Sequence, residues 1–249
     1  MNNTTEKYSP EEILQLLKDF YNFQTQFDPE VESGEELTFY TTIADWRMIC
    51  DLVSPMKLAK VHHEFFELKS SITELEDILY FEEKNTLRDF CEYIAKNASK
   101  EKIHPIITLG QSCMSAAIFK TLMTNLNKRG VNTDSIKPSS NFVPLFDKYA
   151  IELLEEVNKI APGSLTKFEY RNNIIVRTGS MILLISILSI IVVSLFWHFH
   201  MSLLILSFLG LVVIFIGKLF KPEKNIIGGY NTMRDLVIGI QEQLEKAAT

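Results

Sequence analysis

Apolar residues recur every three or four positions along most of the first 165 residues, and then merge into one long uncharged block. In YSPEEILQLLKDFYNF, Ile13, Leu16, Leu17 and Phe20 fall on one helical face. Ser9 stands where a cap is needed, Pro10 suits the first helical position, and Glu12 completes a capping box. The acidic stretch DPEVESGEE (28–36) then interrupts the pattern. Further helices are predicted at ADWRMICDLV, at PMKLAKVHHEFFEL after Ser54-Pro55, at ITELEDILYF, and at NTLRDFCEYIAKNA. KIHPIITLG (102–110) is the best strand candidate, with its proline pointing to an edge or connector. SCMSAAIFKTLMTNLNKRG is predicted helical, with Ile118, Leu122 and Leu126 on one side and Gly130 at its stop. VPLFDKYAIELLEEVNKIAPG (143–163) reads as another helix, a stalk or coiled-coil arm with too few heptads to establish a coiled coil, and the tail from Tyr230 as a short amphipathic helix.

The uncharged block runs from Thr178 to Gly217 without Asp, Glu, Lys or Arg. A single helix of that length would be about 60 Å long, roughly twice the hydrocarbon thickness of a bilayer, so two antiparallel spans are expected. Lys167, Arg171 and Arg177 precede the block, Lys218, Lys221 and Lys224 follow it, and no base lies between. By the positive-inside rule both termini are then cytoplasmic. Residues 1–30 have no basic start followed by an apolar core, so no secretory signal is read there. Within the block, Gly179, Ser186 and Ser189 mark one sided seam, and Ser207, Gly210 and Gly217 another. Small residues of this kind let helices pack closely. Trp197, His198 and His200 sit midway, where an interfacial anchor at the turn is expected.

The resulting fold class is mainly α: a helical cytosolic domain with at most one short strand, on a helical stalk, with a two-helix transmembrane hairpin near the C-terminus. The expected divisions are 1–36 (first helix and acidic linker), 37–142 (cytosolic domain), 143–177 (stalk and juxtamembrane helices), 178–217 (hairpin) and 218–249 (amphipathic tail). Residues 1–177 hold 27 acidic and 20 basic side chains, which argues against general nucleic-acid binding. Cys50, Cys91 and Cys113 form no C-x-x-C pair, and read as small buried hydrophobes in a reducing compartment.

Candidate chemistry is sparse. The stretch 96–137 runs against the acidic trend, with seven bases and two acids. Inside it, ITLGQSCMS places Gly110 and Ser112 at a strand-to-helix turn, where free backbone N–H groups can hold an anion. Lys100, Lys128 and Arg129 would supply charge to such a ligand, with Ser112 as a plain helix cap the competing reading. Neither Ser112 nor Cys113 has a recognisable general base for nucleophilic work. His62, His63 and Glu67 could contribute to a metal-dependent site, yet no complete ligand set is spelled out. No catalytic residue, metal or cofactor is expected.

Residues 85–142, through NTLRDFCEYIAKNA, IITLGQSCMSAAIFKTLMTNL and IKPSSNF, resemble segments of uncharacterised bacterial proteins of unknown function. That resemblance implies a bacterial source and a folded cytosolic module, and carries no activity with it. The function expected is a membrane-anchored, self-associating and non-enzymatic binding or scaffolding module at the bacterial inner membrane. Its partners would be the lipid bilayer, further copies of the chain, and a cytosolic protein or small anionic ligand. The alternatives are an oligomeric membrane-disrupting effector, as in bacterial antiviral defence, and a membrane-surface metal-dependent enzyme.

Overall fold

A computed structural model describes residues 4–28, 30–31, 34–108, 110–169, 174–196, 201–219 and 226–247. Among them the chain is mainly helical, with 11 helices and a few very short strands. It divides into two compact units, residues 1–168 with 226–249, and residues 169–225.

The first unit begins with strand β1 (Thr5–Glu6) and helix α1 (Pro10–Gln24). The capping box forms as the sequence predicts. The Glu12 N–H donates to Ser9 Oγ at 3.1 Å, and the Ser9 N–H donates to Glu12 Oε2 at 2.9 Å. Four helices follow: α2 (Ile43–Ile49), α3 (Pro55–Phe65), α4 (Ile72–Tyr80) and α5 (Leu87–Asn97). Ile13, Leu16 and Leu17 of α1 meet Leu87, Phe90 and Ile94 of α5 in one core, with Trp46, Leu58, Leu75 and Leu79 around them. Removing such side chains from water at about 25 cal/mol per Å2 is what holds these short helices, since few of them would persist alone.

Strand β2 (Lys100–Glu101) pairs antiparallel with β1, and β3 (Ile106–Thr108) pairs antiparallel with β4 (Gln111–Cys113). Gly110 sits in the β3–β4 turn at φ +79°, in the left-handed region that glycine enters without a Cβ penalty. The expected single strand is thus replaced by several two- and three-residue ones. Helix α6 (Met114–Lys128) follows, and its buried Ile118, Leu122 and Leu126 match the predicted face.

The expected stalk is corrected. Residues 143–163 are not one free-standing helix but parts of α7 (Phe142–Lys148) and α8 (Ala150–Ile160), divided at Tyr149 (φ −134°, ψ 43°). Phe142, Phe146, Leu153, Leu154 and Val157 are buried, and α8 packs on both α1 and α6. An amphipathic face looks the same in sequence whether it lies on its own domain or projects from it, hence the misreading.

The tail also belongs to this unit. The chain re-enters at β6 (Ile226–Ile227), next to β5 (Phe168–Glu169), where the Gly228 N–H donates to Lys167 O at 2.7 Å. Helix α11 (Met233–Ala247) lays Met233, Leu236, Val237 and Ile240 against α6. The loop KPSSNF holds its start: Arg234 N–H donates to Pro138 O, Met233 N–H to Ser140 O, and Phe142 N–H to Asn231 O. A buried carboxylate adds a second clamp. Asp19 of α1 accepts from the Gly163 N–H at 2.6 Å and from Gln15 Nε2 at 2.8 Å, while Gln243 of α11 donates to Pro162 O at 3.1 Å.

The second unit contains α9 (Ile174–Phe196) and α10 (Met201–Leu219), packed antiparallel. The transmembrane hairpin expected here is corrected: among the described residues no helix is long and apolar enough to cross a membrane. What the two helices do show is close packing through small residues. A Cβ on Gly179 would lie 2.8 Å from Ile214 N, and one on Gly210 would lie 3.0 Å from Leu183 N.

Candidate functional site

Three of the five residues expected to hold an anion line one cleft of the first unit. Lys100, Lys128 and Arg129 share a depression of about 680 Å3 with Lys159 and with Glu64, Glu67, Glu101, Glu155 and Glu156. The sequence does not bring Gly110 and Ser112 there. Both lie on the β3–β4 hairpin, where Ser112 is exposed and pairs across the strands with Ile107. The residue at the start of α6 is Cys113, so Ser112 is not its cap.

The cleft's positive charge is largely cancelled from within. Lys100 is only 7% exposed; its ammonium contacts the Glu12 carboxylate, lies 3.5 Å from Glu6, and rests 5.7 Å from the centre of the Tyr8 ring. This is a buried ion pair between β2 and α1, whose removal would strand the Glu12 carboxylate, while Glu6 keeps Lys102 at 3.8 Å. Arg129 is held by Glu155 and, at 3.2 Å, by Glu156. Lys159 lies 3.9 Å from Glu156 and 4.8 Å from the centre of the Phe65 ring. Burial and these cations act on a glutamate pair that the sequence offered only as part of a stalk face, so Glu155, Glu156 and Lys159 went unread. Their spacing along α8 was visible; the partner Arg129, on another element, was not.

A smaller groove beside it has a different balance. Lys102, His104, Lys120 and Lys128 line a space of about 160 Å3 with Thr121, Thr124 and Asn125, and Glu101 is its one carboxylate. Lys128 Nζ lies 3.5 Å from Asn125 Oδ1, and among the described residues no carboxylate pairs with it. Lys120, Thr121, Thr124 and Lys128 fall on one face of α6. Lys102 lies 3.8 Å from Glu6 and His104 Nε2 is hydrogen-bonded with Thr4 Oγ1, so Lys120 and Lys128 are the cations that, flanked by hydroxyl donors, can accept an anionic group without first breaking an internal ion pair.

The candidate metal residues do not converge. His62 is packed among Trp46, Phe66 and Phe90, with ring centres 5.0–6.1 Å away, and burial pushes its imidazole down to about 4. His63 Nε2 is 2.8 Å from Ser70 O. Glu67 occupies the turn after α3 at φ +49°. Among the described residues no group of three or more His, Cys, Asp or Glu could hold a metal ion. Cys113 is lowered from the usual thiol range by the Ser115 hydroxyl and by the N–H groups that open α6. Cys50 and Cys91 are pushed up to about 12 by burial, as inert core thiols are.

In the second unit the structure brings Gly179, Ser186, Ser207 and Gly210 onto the face between α9 and α10. Ser207 Oγ donates to Ser186 Oγ at 2.9 Å, and Ser186 Oγ donates to Leu183 O at 2.8 Å. Ser189 bonds only its own helix, at Ile185 O. Gly217 lies in α10 beyond the described side chains, and Trp197, His198 and His200 lie outside the described residues. The opposite faces are apolar and exposed: Met181, Leu184, Ile185 and Leu188 on α9, and Phe208, Leu211 and Phe215 on α10. When the chain is compared with known proteins, no family model, no curated protein and no solved structure matches it.

Proposed function

We propose that this chain is a non-enzymatic, self-associating scaffold, in which the first unit is a binding head and the α9–α10 pair is the assembly arm. The exposed apolar faces of α9 and α10 carry the proposal. Leu184, Ile185, Phe208 and Phe215 are 54–68% exposed, and no charged residue interrupts 178–216. Contiguous apolar surface of this kind is a site of association rather than a solvated exterior. The occupant we assign is a second copy of the same pair, since small residues already hold α9 to α10 and leave both outer faces for another hairpin.

The head binds an anionic partner at the groove of Lys102, His104, Lys120 and Lys128. We place it in a reducing, cytoplasmic compartment, in keeping with three cysteines that are all free. The test is the double variant Leu184→Glu/Phe208→Glu in the full chain, compared with the native protein by sedimentation and by flotation with phospholipid vesicles. Burying each such side chain contributes about 1.5–3 kcal/mol, so the double change should weaken assembly by two orders of magnitude or more. Native protein that sediments as a monomer and floats with vesicles would assign the arm to lipid instead.

A further inference from the structure

The groove of Lys120 and Lys128 holds about 160 Å3, below the roughly 300–1,000 Å3 of pockets that enclose a whole small molecule. It has room for a few side chains. Among the described residues no Phe, Tyr or Trp lines it, so a nucleobase would find no ring of that kind to stack on. Its two uncommitted cations stand eight residues apart on α6, a rise of about 12 Å. Thr121 and Thr124 lie between them and can donate hydroxyl hydrogen bonds. The occupant that fits is a slender one with two anionic groups at that spacing.

One segment of the same sequence has this character. The stretch 28–36 carries Asp28, Glu30, Glu32, Glu35 and Glu36 and no base. Its end is tied down: the N–H groups of Gly34 and Glu35 donate to the Tyr21 hydroxyl, and Glu36 lies 3.5 Å from Lys18. Glu30 and Glu35 are exposed, and among the described residues neither has a basic partner. Five residues of chain reach at most about 17 Å, enough to set two carboxylates at the spacing of the lysines. Within one chain they do not meet. The acidic stretch follows the C-terminal end of α1, whereas Lys102 and His104 tie the groove to Glu6 and Thr4, before its N-terminal end.

We propose that the anionic partner of this groove is a second copy of the chain, whose Glu30 and Glu35 seat on Lys120 and Lys128. The contact rests on the reading that the groove takes an anion and that the arms bring copies together. It is heterologous: each copy offers its acidic segment to one neighbour and its groove to another. Exposed ion pairs are individually weak and screened by salt. The contact is therefore populated only at the high local concentration that joined arms create.

The test mixes 14N- and 15N-labelled copies of the 249-residue chain and treats them with a water-soluble carbodiimide. The reagent activates a carboxylate; an adjacent lysine amine then attacks it, forming an amide and releasing the urea, so only touching pairs are joined. Mass spectrometry should find mixed-isotope peptides that link Glu30 or Glu35 to Lys120 or Lys128. High salt and saturating tripolyphosphate should each suppress them. The chain carrying Glu30→Lys, Glu35→Lys, Lys120→Glu and Lys128→Glu together should regain links between the same four positions, whereas either pair of changes alone should not. Absence of mixed-isotope links in the native chain overturns the inference, as do links that persist in high salt or that the fourfold reversal fails to restore. Tripolyphosphate binding and the light-scattering mass of the same sample then show whether the groove and the arm fall with it. Should the fourfold variant not fold, the native links and their salt dependence decide alone.

Discussion

Replacing Asp19 with Asn should expose a pH dependence that the native protein conceals. The Asp19 side chain is fully buried, and its two hydrogen bonds, from the Gly163 N–H and Gln15 Nε2, favour the ionised form. Burial opposes them and wins, pushing the carboxyl up from 3.8 to about 7. The folded state therefore holds a proton that the unfolded chain has already released. Stability from this group is fully present below about pH 4 and is lost as pH rises to about 7. The size is on the order of 4 kcal/mol, from about three pKa units at 1.36 kcal/mol each. His62 works in the opposite sense over almost the same window. Its folded value of about 4 lies below the ordinary 6.5, so its contribution grows by about 3 kcal/mol as pH rises from about 4 to 6.5. The two nearly offset each other, and the native protein alone would hide both. Urea unfolding of native protein and Asp19→Asn at pH 4, 5, 6, 7 and 8, followed by circular dichroism, separates them. The native protein should lose stability relative to the variant by about 1.4 kcal/mol per pH unit across the window, and then level off. A flat difference, or one rising with pH, would refute the reasoning that burial outweighs the two hydrogen bonds.

Other expectations follow from the packing and the ion pairs. Lys100→Ala should cost about 3 kcal/mol of stability in thermal unfolding, because the largely buried Glu12 loses its cation. Lys120→Glu and Lys128→Glu should leave stability within about 0.5 kcal/mol, since both are surface changes. The same two variants should weaken binding of the probe tripolyphosphate at least tenfold in calorimetry; unchanged affinity would remove the anionic groove from the proposal. Gly179→Ala should destabilise the α9–α10 pair by about 1–3 kcal/mol, because the new Cβ meets the Ile214 backbone. Ser189→Ala, whose hydroxyl serves only its own helix, should be close to neutral in the same melt.

Much of the first unit was legible because its signals are local. The Ser9–Glu12 box, the Leu16–Leu17 face and the Ile118–Leu122–Leu126 face are set by residues within a turn or two of each other. What was not legible depends on distant partners. Lys100 looked like a ligand-binding lysine until α1 supplied Glu12, 88 positions away. Residues 143–163 looked like a stalk because nothing in their own pattern records that α1 and α6 cover them. The β3–β4 hairpin escaped notice since three-residue strands are too short to establish an alternation. In the second unit the seam of Gly179, Ser186, Ser207 and Gly210 was readable from residue size. The inference from an uncharged run to a membrane-crossing pair was not sustained among the described residues. His62 was weighed as a metal ligand, whereas the aromatic residues that surround it come from α2, α5 and the residue that ends α3, and come together only on folding.

The central claim is that the apolar faces of α9 and α10 join copies of this chain. The most direct measurement is the mass of the 249-residue chain in solution at micromolar concentration, by light scattering without added lipid or detergent. The account expects a defined multiple of 28.6 kDa that falls toward 28.6 kDa in Leu184→Glu/Phe208→Glu. A native protein that remains at 28.6 kDa across the concentration range would contradict it.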